Sequence, residues 1–347
     1  MTPADADGSR NVGSVEAMQA QDATGAGAPR RRLITVVAGC YNEEENVRPL
    51  YERLCAVFDK LPQYRFEMIL IDNRSRDRTV AVLKEIAAVD KRLKIIVNTR
   101  NFGHVRSPHH ALLQVRGDAA IAMASDLQDP PELIPQLIEQ WEAGFKVVFA
   151  QKTKSKESPL FRLVRTSYYR LIGRLSEVEM VEHVTGFGLY DQRVIGDLRR
   201  LDDPYPYFRG LICDLGYERA LVEFVQPTRV RGITKNNFYT LYDLGMLGIT
   251  NHSKVPLRLA AMLGFAMAAL SFLVGFGYLF AKLVFWDRFT LGTAPVVVGL
   301  FFFASVQLFF TGIVGEYIGA IHTQVLKRPL VIEAERINFD DEPEPSK

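Results

Sequence analysis

The sequence has few cysteines and almost no net charge. Only three of its 347 residues are cysteine (Cys40, Cys55 and Cys213), and this odd, sparse set excludes a disulfide framework and favours reduced thiols. The formal net charge at pH 7 is +2, so the overall charge gives no reason to expect nucleic acid as a partner. The length allows one large domain together with a smaller module.

Both ends of the chain have too few apolar residues to form a core. The first 29 residues are rich in Ala, Gly, Asp and Gln, and they contain no apolar segment of the kind found in a signal peptide. Such a segment cannot bury enough apolar surface to offset the entropy lost on ordering. We expect a disordered tail at residues 1–32, and the acidic stretch after Phe339 has the same character.

Two long uncharged apolar runs lie near the C-terminal end. Leu259–Ala281 has 23 residues and Leu291–Gly315 has 25. A hydrocarbon core about 30 Å thick requires about 20 helical residues, so each run can cross a membrane. A buried core helix is the alternative, but two such runs in tandem favour a transmembrane hairpin, which we place at residues 257–321.

Basic residues flank this hairpin on one side. Two spans leave both flanks on the same face of the membrane, and basic residues are more frequent in cytoplasmic flanks. We therefore expect a multi-pass protein of the inner (cytoplasmic) membrane, with the large domain and the C-terminal segment 322–347 in the cytoplasm. The flanking residues are Lys235, Lys254, Arg258, Lys327 and Arg328, whereas the connecting loop offers Lys282 and Arg288 with Asp287 between them.

The region from Leu33 onward alternates strand-like apolar runs with helical patterns. This alternation predicts an α/β fold with a largely parallel sheet and helices on both faces. The predicted strands are Leu33–Ala38, Phe66–Ile71, Leu93–Val97, Ala119–Ala124 and Lys146–Ala150. The predicted helices are Glu45–Asp59, Asp77–Val89, Pro108–Val115 and Pro131–Glu142.

Polar residues follow several of these strands, at the sheet edge where open α/β sheets bind ligands. Glu43 comes after the first strand, Asp72 after the second, and Asp126 and Gln128 after the fourth. If the extended geometry continues, Asp126 and Gln128 share one face while Leu127 points away. A carboxylate and an amide oxygen can hold one hard cation such as Mg²⁺, which would neutralise a diphosphate leaving group.

These residues also have structural interpretations. Asp129 precedes two prolines and is better explained as a helix N-cap. Asp126 and Asp72 could each be turn-forming residues. His109 and His110 lie in a basic segment without the spacing of metal ligands, so we interpret them as loop or surface histidines.

An amphipathic segment at about residues 159–176 interleaves apolar side chains with arginines. This pattern is typical of a helix that lies at a membrane surface and contacts anionic head groups, although an ordinary surface helix packed on the sheet fits it too. Residues 236–256 predict a second, juxtamembrane interfacial helix. The arginines of the first segment are Arg162, Arg165, Arg170 and Arg174.

Seven short motifs lie between Leu33 and Arg336, together with the paired spans. They are Tyr41–Glu45, Ile71–Asp72, Arg100–His104, Asp126–Pro131, Phe208–Gly210, Gly315–Gly319 and Arg328–Leu330. In these motifs and in their order, the chain from Leu33 to Arg336 resembles the family 2 glycosyltransferases that make polyprenyl-phosphate sugars. Dolichol-phosphate mannose synthases and bacterial undecaprenyl-phosphate glycosyltransferases are examples of this family.

The resemblance implies a GT-A domain at residues 33–235. It implies transfer of a sugar from a nucleotide-sugar donor to the phosphate of a polyprenyl-phosphate lipid on the cytoplasmic membrane face. The product would be a lipid-linked sugar for cell-envelope glycan or glycolipid modification. The implied cofactor is a divalent cation, Mg²⁺ or Mn²⁺, and the implied partners are the donor, the lipid and the membrane, without nucleic acid. Assembly into a homo-oligomer is compatible with it.

The resemblance also assigns roles to individual residues. Asp126 and Arg209 are the implied catalytic residues, and Asp126 and Gln128 the implied metal ligands. The implied donor-binding residues are Tyr41, Glu43, Asp72, Ser125, Asp126 and the basic loop residues Arg229, Arg231 and Lys235. The implied contacts to the acceptor phosphate are Arg162, Lys152 and Thr185.

The chain departs from the family pattern at the metal motif and at the turn after the second strand. The usual Asp-x-Asp is Ala124-Ser125-Asp126, so one carboxylate is absent, and Asn73 replaces the second acid of the usual Asp-Asp-Gly-Ser. These changes motivate one alternative, a non-catalytic sugar-nucleotide-binding or scaffold protein. A processive polysaccharide synthase is the other alternative, but the Gln-x-x-Arg-Trp motif of such enzymes is absent from the sequence.

Overall fold

The structure is a computed structural model, and it describes residues 30–153, 184–227, 253–284 and 293–339, together with Met246 and Thr250. The predicted interfacial segment at 159–176 with Arg162 lies outside these residues. So do the basic loop with Arg229, Arg231 and Lys235, most of the segment 236–256, and most of the predicted N-terminal tail.

The described chain folds into an eight-stranded sheet with helices on both faces, followed by two long helices. The strands are β1 (Leu33–Cys40), β2 (Arg65–Asp72), β3 (Leu93–Asn98), β4 (Ala119–Ala124), β5 (Val147–Lys152), β6 (Val184–Asp191), β7 (Arg219–Phe224) and β8 (Glu333–Ile337). The helices are α1 (Val47–Phe58), α2 (Thr79–Val89), α3 (Gly103–Leu113), α4 (Ile134–Glu142), α5 (Gln192–Leu201), α6 (Phe208–Asp214), α7 (Val255–Val284) and α8 (Thr293–Val325).

The strand order is β7-β5-β6-β4-β1-β2-β3-β8. Strand β1 lies parallel to both β2 and β4, and β3 continues in parallel beside β2. Strands β6 and β8 run antiparallel to their neighbours. This mixed sheet confirms the predicted α/β class and the GT-A architecture. The direction of winding reverses between β1 and β4, and open α/β sheets bind ligands at such a switch point.

Two apolar layers cover the sheet. Helices α1, α2 and α4 pack on one face, and α3, α5 and α6 pack on the other. In α1, Val47, Leu50 and Leu54 recur at helical spacing and are fully buried against the sheet. The five predicted strands correspond to β1–β5, and the unpredicted β6 lies between β4 and β5.

The helix predicted at Pro108–Val115 differs most from the structure. It is predicted to begin at Pro108, whereas α3 begins at Gly103 and includes Pro108. The helix is predicted to start at Pro108 because a proline inside a helix removes a backbone hydrogen bond, whereas a proline in the first turn does not. The ring of Pro108 instead packs on Gly39 of β1, where a Cβ would lie only 2.8 Å from the proline Cγ.

Helices α7 and α8 are long and apolar enough to span a membrane, with candidate spans at Val255–Tyr278 and Phe302–Val325. Most of their large apolar side chains are exposed, which excludes the alternative of a buried core helix. The hydroxyl of Tyr317 in α8 donates to the carbonyl of Ser253, 2.6 Å away, just before α7. These two helices support membrane association of the chain.

After α8 the chain returns to the sheet as residues 329–339, which we call the C-terminal strap. Its strand β8 pairs antiparallel with β3. Beyond β8, the Asn338 side chain donates to the carbonyls of Ala87 and Leu93 at 2.9 and 2.8 Å. No strand is predicted from the sequence after the hairpin, so β8 is known from the structure alone.

Candidate active site

A cavity of about 460 Å³ lies at the carboxyl ends of β1 and β4. Its volume is within the roughly 300–1,000 Å³ of small-molecule sites. The walls come from β1, the loop after β4, the ends of β5 and β6, helix α3 and the start of α6. This is the switch point of the sheet, the edge at which the sequence predicts a ligand site.

The structure brings six of the predicted site residues together in this cavity: Glu43, Ser125, Asp126, Gln128, Lys152 and Arg209. Tyr41 and Asp72 lie at the same edge of the sheet but outside the cavity lining. Thr185 belongs to β6, beside Gly186 of the cavity wall. Arg162 and the basic loop lie outside the described residues, so their roles stay predictions.

The loop after β4 turns instead of continuing as a strand. Strand β4 ends at Ala124, and Leu127 has a positive φ of 62°, so the predicted extended geometry through residue 128 is wrong. The Asp126 Oδ1 accepts the backbone N–H of Gln128 at 3.2 Å, a side-chain turn of the kind Asp favours. The turn still places Asp126 and Gln128 on the cavity, while Leu127 packs against the core.

Asp129 is a buried carboxyl group at this site. The predicted role as a helix N-cap is wrong, because its carboxylate accepts the backbone N–H of Ala124 at 2.8 Å and so terminates β4. Burial raises the pKa of Asp129 to about 6, and the charge of Asp126 adds to this effect. The N–H of Ala124 and the charge of Lys152 act in the opposite direction. The Asp-Pro-Pro sequence is typical of a helix N-cap, but in the folded chain Asp129 bonds to β4 instead.

Asp126 and Gln128 supply one carboxylate and one amide oxygen to the cavity. Both are hard oxygen donors, which suit Mg²⁺ or Mn²⁺ when substrate phosphates and water complete the shell. The Gln128 Oε1 also lies 3.4 Å from the Gln226 Nε2, a long contact from the end of β7. In the part of the chain that the structure describes, no group of three His, Cys, Asp or Glu residues has metal-site geometry. The donor set therefore fits a cation that binds together with its substrate.

Asp72 is held inside the loop after β2. It is fully buried, and it accepts hydrogen bonds from the backbone N–H of Ser75 at 2.9 Å and from the Ser75 hydroxyl. Burial raises the pKa of Asp72, and the bonds from Ser75 oppose that effect. These contacts fit the turn-forming alternative, and the donor-binding role of Asp72 stays a prediction.

Asn73 connects this loop to the start of α3. Its Nδ2 donates to the Asn101 Oδ1 and to the Gly103 carbonyl at 2.9 and 3.0 Å, while its Oδ1 accepts the backbone N–H of Phe102 at 2.8 Å. A carboxylate cannot donate, so the acid usual in the family could not make this pattern. The departure at position 73 therefore has a structural explanation.

His109 lies on the wall of the cavity, in the middle of α3. The prediction that it is a loop or surface histidine is wrong, because it is only 5% exposed. Burial, together with the neighbouring His110, lowers the pKa of His109 to about 4. His110 is half-buried and pairs with Glu333 of the C-terminal strap instead. The sequence carried no signal for either contact.

Arg209 faces the cavity from the start of α6. Its Nη1 donates to the Val184 carbonyl at 2.8 Å, and its guanidinium lies 5.6 Å from the centre of the Tyr207 ring. These contacts fix the side chain between β6 and α6. A cation held in this way suits an anionic ligand.

Comparisons with known proteins give a consistent result. The model of "Glycosyl transferase family 2" matches residues 35–198, and that of the "GtrB C-terminal hairpin" matches residues 255–321. The chain is 34% identical over 300 residues to a bactoprenol glucosyl transferase of Shigella phage SfII, covering 86% of this chain and 96% of that protein. It is 31% identical to a prophage bactoprenol glucosyl transferase homolog of Escherichia coli K12, covering 86% and 97%. It is 35% identical to an uncharacterized glycosyltransferase, YkcC, of Bacillus subtilis 168, covering 86% and 92%.

Proposed function

The chain belongs to the family 2 glycosyltransferases, and from this premise we propose that it transfers a sugar to the phosphate of a polyprenyl-phosphate lipid. The donor is a nucleotide sugar, and the product is a lipid-linked sugar for cell-envelope glycan or glycolipid modification. One observation carries the proposal: the cavity with Asp126 and Gln128 belongs to a chain that also has two membrane-length helices. The chain covers nearly the whole length of two relatives that are named as a bactoprenol glucosyl transferase and a prophage homolog of it. These names support the same class of acceptor.

The acceptor needs little activation. A phosphomonoester has its second pKa near 6, so a polyprenyl phosphate is largely dianionic at neutral pH and is already a nucleophile. Its oxygen attacks the anomeric carbon of the sugar, and the bond from that carbon to the nucleoside diphosphate breaks. The task of the protein is to align the two groups and to stabilise the departing diphosphate.

Asp126 and Gln128 would hold the divalent cation, Mg²⁺ or Mn²⁺. The bound cation would neutralise charge on the diphosphate. Because Asp126 is the one carboxylate of this pair, the site contributes little charge by itself, and donor and cation should bind together.

Lys152 and Arg209 are the proposed contacts to phosphate groups. Both line the cavity that contains Asp126, and each carries a positive charge at neutral pH. We assign Lys152 and Thr185 to the acceptor phosphate with Arg162, and Arg209 to the charge that develops in the transition state. Arg229, Arg231 and Lys235 are the proposed diphosphate contacts from the basic loop, beside Tyr41, Glu43, Asp72 and Ser125 at the donor.

The experiment is a transfer assay with the full chain in detergent or nanodiscs. A panel of UDP- and GDP-sugars is offered with Mg²⁺ or Mn²⁺, with and without undecaprenyl phosphate, and lipid-linked sugar is measured by mass spectrometry. We expect one sugar per lipid and a strict requirement for the lipid. A polymeric product would indicate a processive synthase, and donor binding without turnover would indicate a scaffold.

Two variants sharpen this assay. Asp126→Ala should abolish transfer, while Glu139→Ala should leave it unchanged. Glu139 is an exposed carboxylate on α4, outside the cavity, and is therefore a matched control for loss of an acid. Full activity of Asp126→Ala in the presence of a chelator would refute the assigned metal role.

A further inference from the structure

His109 is a buried polar side chain with an unsatisfied nitrogen. Its Nδ1 has no hydrogen-bond partner among the residues that the structure describes. The residue is 5% exposed and lies on the wall of the cavity. Buried polar atoms are almost always hydrogen-bonded, because an unpaired one loses its bond to water without replacement. The His109 imidazole on the cavity wall therefore has hydrogen-bonding capacity that the described residues leave unused.

A chain of aromatic rings fixes the orientation of the His109 imidazole. The Phe208 ring meets it edge to face at 6.0 Å, and the Tyr190 ring meets Phe208 in the same way at 5.2 Å. The Tyr190 hydroxyl donates to the Gly186 carbonyl at 2.8 Å. Edge-to-face pairs of this kind hold rings at defined angles. The imidazole is thus positioned before any ligand binds.

The surroundings of His109 favour an uncharged partner. Leu112, one turn further along the same face of α3, is buried and lines the cavity beside it. The lowered pKa keeps the imidazole neutral at physiological pH, so it adds no charge to attract a phosphate. A neutral imidazole offers one donor and one acceptor nitrogen, which matches a hydroxyl group. Asp126 and Gln128 line the same cavity.

We propose that His109 binds a hydroxyl group of the donor sugar and thereby selects which sugar is transferred. This inference rests on the proposed function, because it takes the diphosphate to lie at Asp126 and Gln128. The sugar is the uncharged, hydroxyl-rich part of the donor, and it is attached directly to that diphosphate. A site that hydrogen-bonds a substrate hydroxyl discriminates strongly against analogues without it.

The test measures donor binding to the full chain by calorimetry in Mn²⁺. The ligands are UDP-glucose and UDP, which lacks the sugar, or the corresponding pair if the transfer assay selects another donor. His109→Leu should weaken UDP-glucose binding roughly 10-fold or more, the effect of leaving a sugar hydroxyl unpaired, and should leave UDP binding unchanged. His109→Gln, which retains a donor and an acceptor, should restore part of the loss. His110→Gln is the matched control, because His110 contacts Glu333 outside the cavity.

Deoxy analogues provide a second measurement that does not depend on the stability of the Leu variant. Wild-type protein should bind one of the 2-, 3-, 4- and 6-deoxy donors roughly 10-fold more weakly than the parent. His109→Leu should bind that analogue and the parent equally. Three results would overturn the proposal. His109→Leu could weaken binding of UDP-glucose and UDP equally, or weaken neither. The wild-type protein could bind all four deoxy analogues as tightly as the parent donor. Binding is measured without lipid, so an error in the acceptor leaves this result intact, whereas failure of wild-type transfer refutes the proposed function.

Discussion

Glu333 is predicted to hold the C-terminal strap against α3. It accepts hydrogen bonds from Arg336, one of them at 2.8 Å, and pairs with His110 of α3. Arg336 also donates to the Gln114 side chain at 3.0 Å, just after α3. Replacing Glu333 by Gln removes the negative charge at the centre of this cluster while keeping the shape of the side chain.

The lowered pKa of Glu333 indicates how much free energy the ionised side chain contributes to stability. Burial opposes ionisation, but the bonds from His110 and Arg336 and the positive charge of Arg336 outweigh it and lower the pKa from 4.5 to about 2. A pKa difference of one corresponds to about 1.4 kcal/mol, so a difference of about 2.5 means that ionised Glu333 stabilises the fold by at most about 3.5 kcal/mol. The side chain is 18% exposed, and some screening reduces this figure. Because the pKa is lowered on folding, the stabilisation is complete above about pH 4.5 and is lost as the pH falls toward 2.

The assay is hydrogen–deuterium exchange of peptides that cover β3 and β8, in detergent at pH 7. Glu333→Gln should lower the protection of these peptides roughly 10- to 100-fold, equivalent to about 1.4–2.8 kcal/mol in the local opening equilibrium. Glu335→Gln is the control, because its ion pair with Lys84 is exposed, with side chains 45% and 44% accessible, and such pairs contribute about 0–1 kcal/mol. The difference between wild type and Glu333→Gln should narrow below about pH 4.5.

Two results would refute this reasoning. Equal protection in wild type and Glu333→Gln would mean that the cluster contributes no net stability once desolvation is counted. An equal loss in Glu333→Gln and Glu335→Gln would mean that the charges along the sheet edge in general, and not the partly buried cluster around Glu333, hold β8.

Three further predictions concern the metal, the lipid and the topology. Ala124→Asp should strengthen Mn²⁺ binding by the free protein, measured by calorimetry, because it adds a carboxylate; unchanged affinity would place the cation elsewhere. Arg162→Ala should raise the KM for undecaprenyl phosphate more than it slows donor hydrolysis, because a charge-assisted phosphate contact is lost; an unchanged acceptor KM would exclude that contact. A cysteine placed at Arg288 should react with an impermeant thiol reagent added outside, whereas one at Arg10 should not, since both termini are expected in the cytoplasm. The reverse labelling would contradict the orientation.

The centre of the fold was predictable because its strands are short apolar runs bounded by turn residues. Strands β6, β7 and β8 were not predicted. Strand β6 lies between β4 and β5 and contains Gly188, where a Cβ would lie 2.3 Å from the Val148 carbonyl. The close approach of the two strands requires glycine there, although glycine disfavours a strand by propensity. Strand β8 has three charged residues in its five, the composition of an exposed edge, and its partner β3 lies far away in the sequence.

The location of the site was predictable for a similar reason, because polar residues after parallel strands converge at one edge. Its finer parts depend on tertiary contacts that local patterns do not carry. Asp129 matched a helix cap, and only the folded chain shows that it bonds Ala124 of β4. His109 was wrongly interpreted as a loop or surface residue, because a pair of histidines in a basic segment has no spacing signal and its contact with Phe208 depends on α6.

The position of β8 in the chain has a consequence for biosynthesis. The bond from Asn338 to Leu93 joins residues 245 positions apart, and both membrane-length helices lie between them. A chain that emerges from the ribosome in order can therefore finish its sheet only after the hairpin has been made. Until then the edge of β3 is open to pairing with another chain. A catalytic domain cut off before α7 would keep that open edge permanently, so solubility should improve when β8 is supplied together with it, even as a separate peptide.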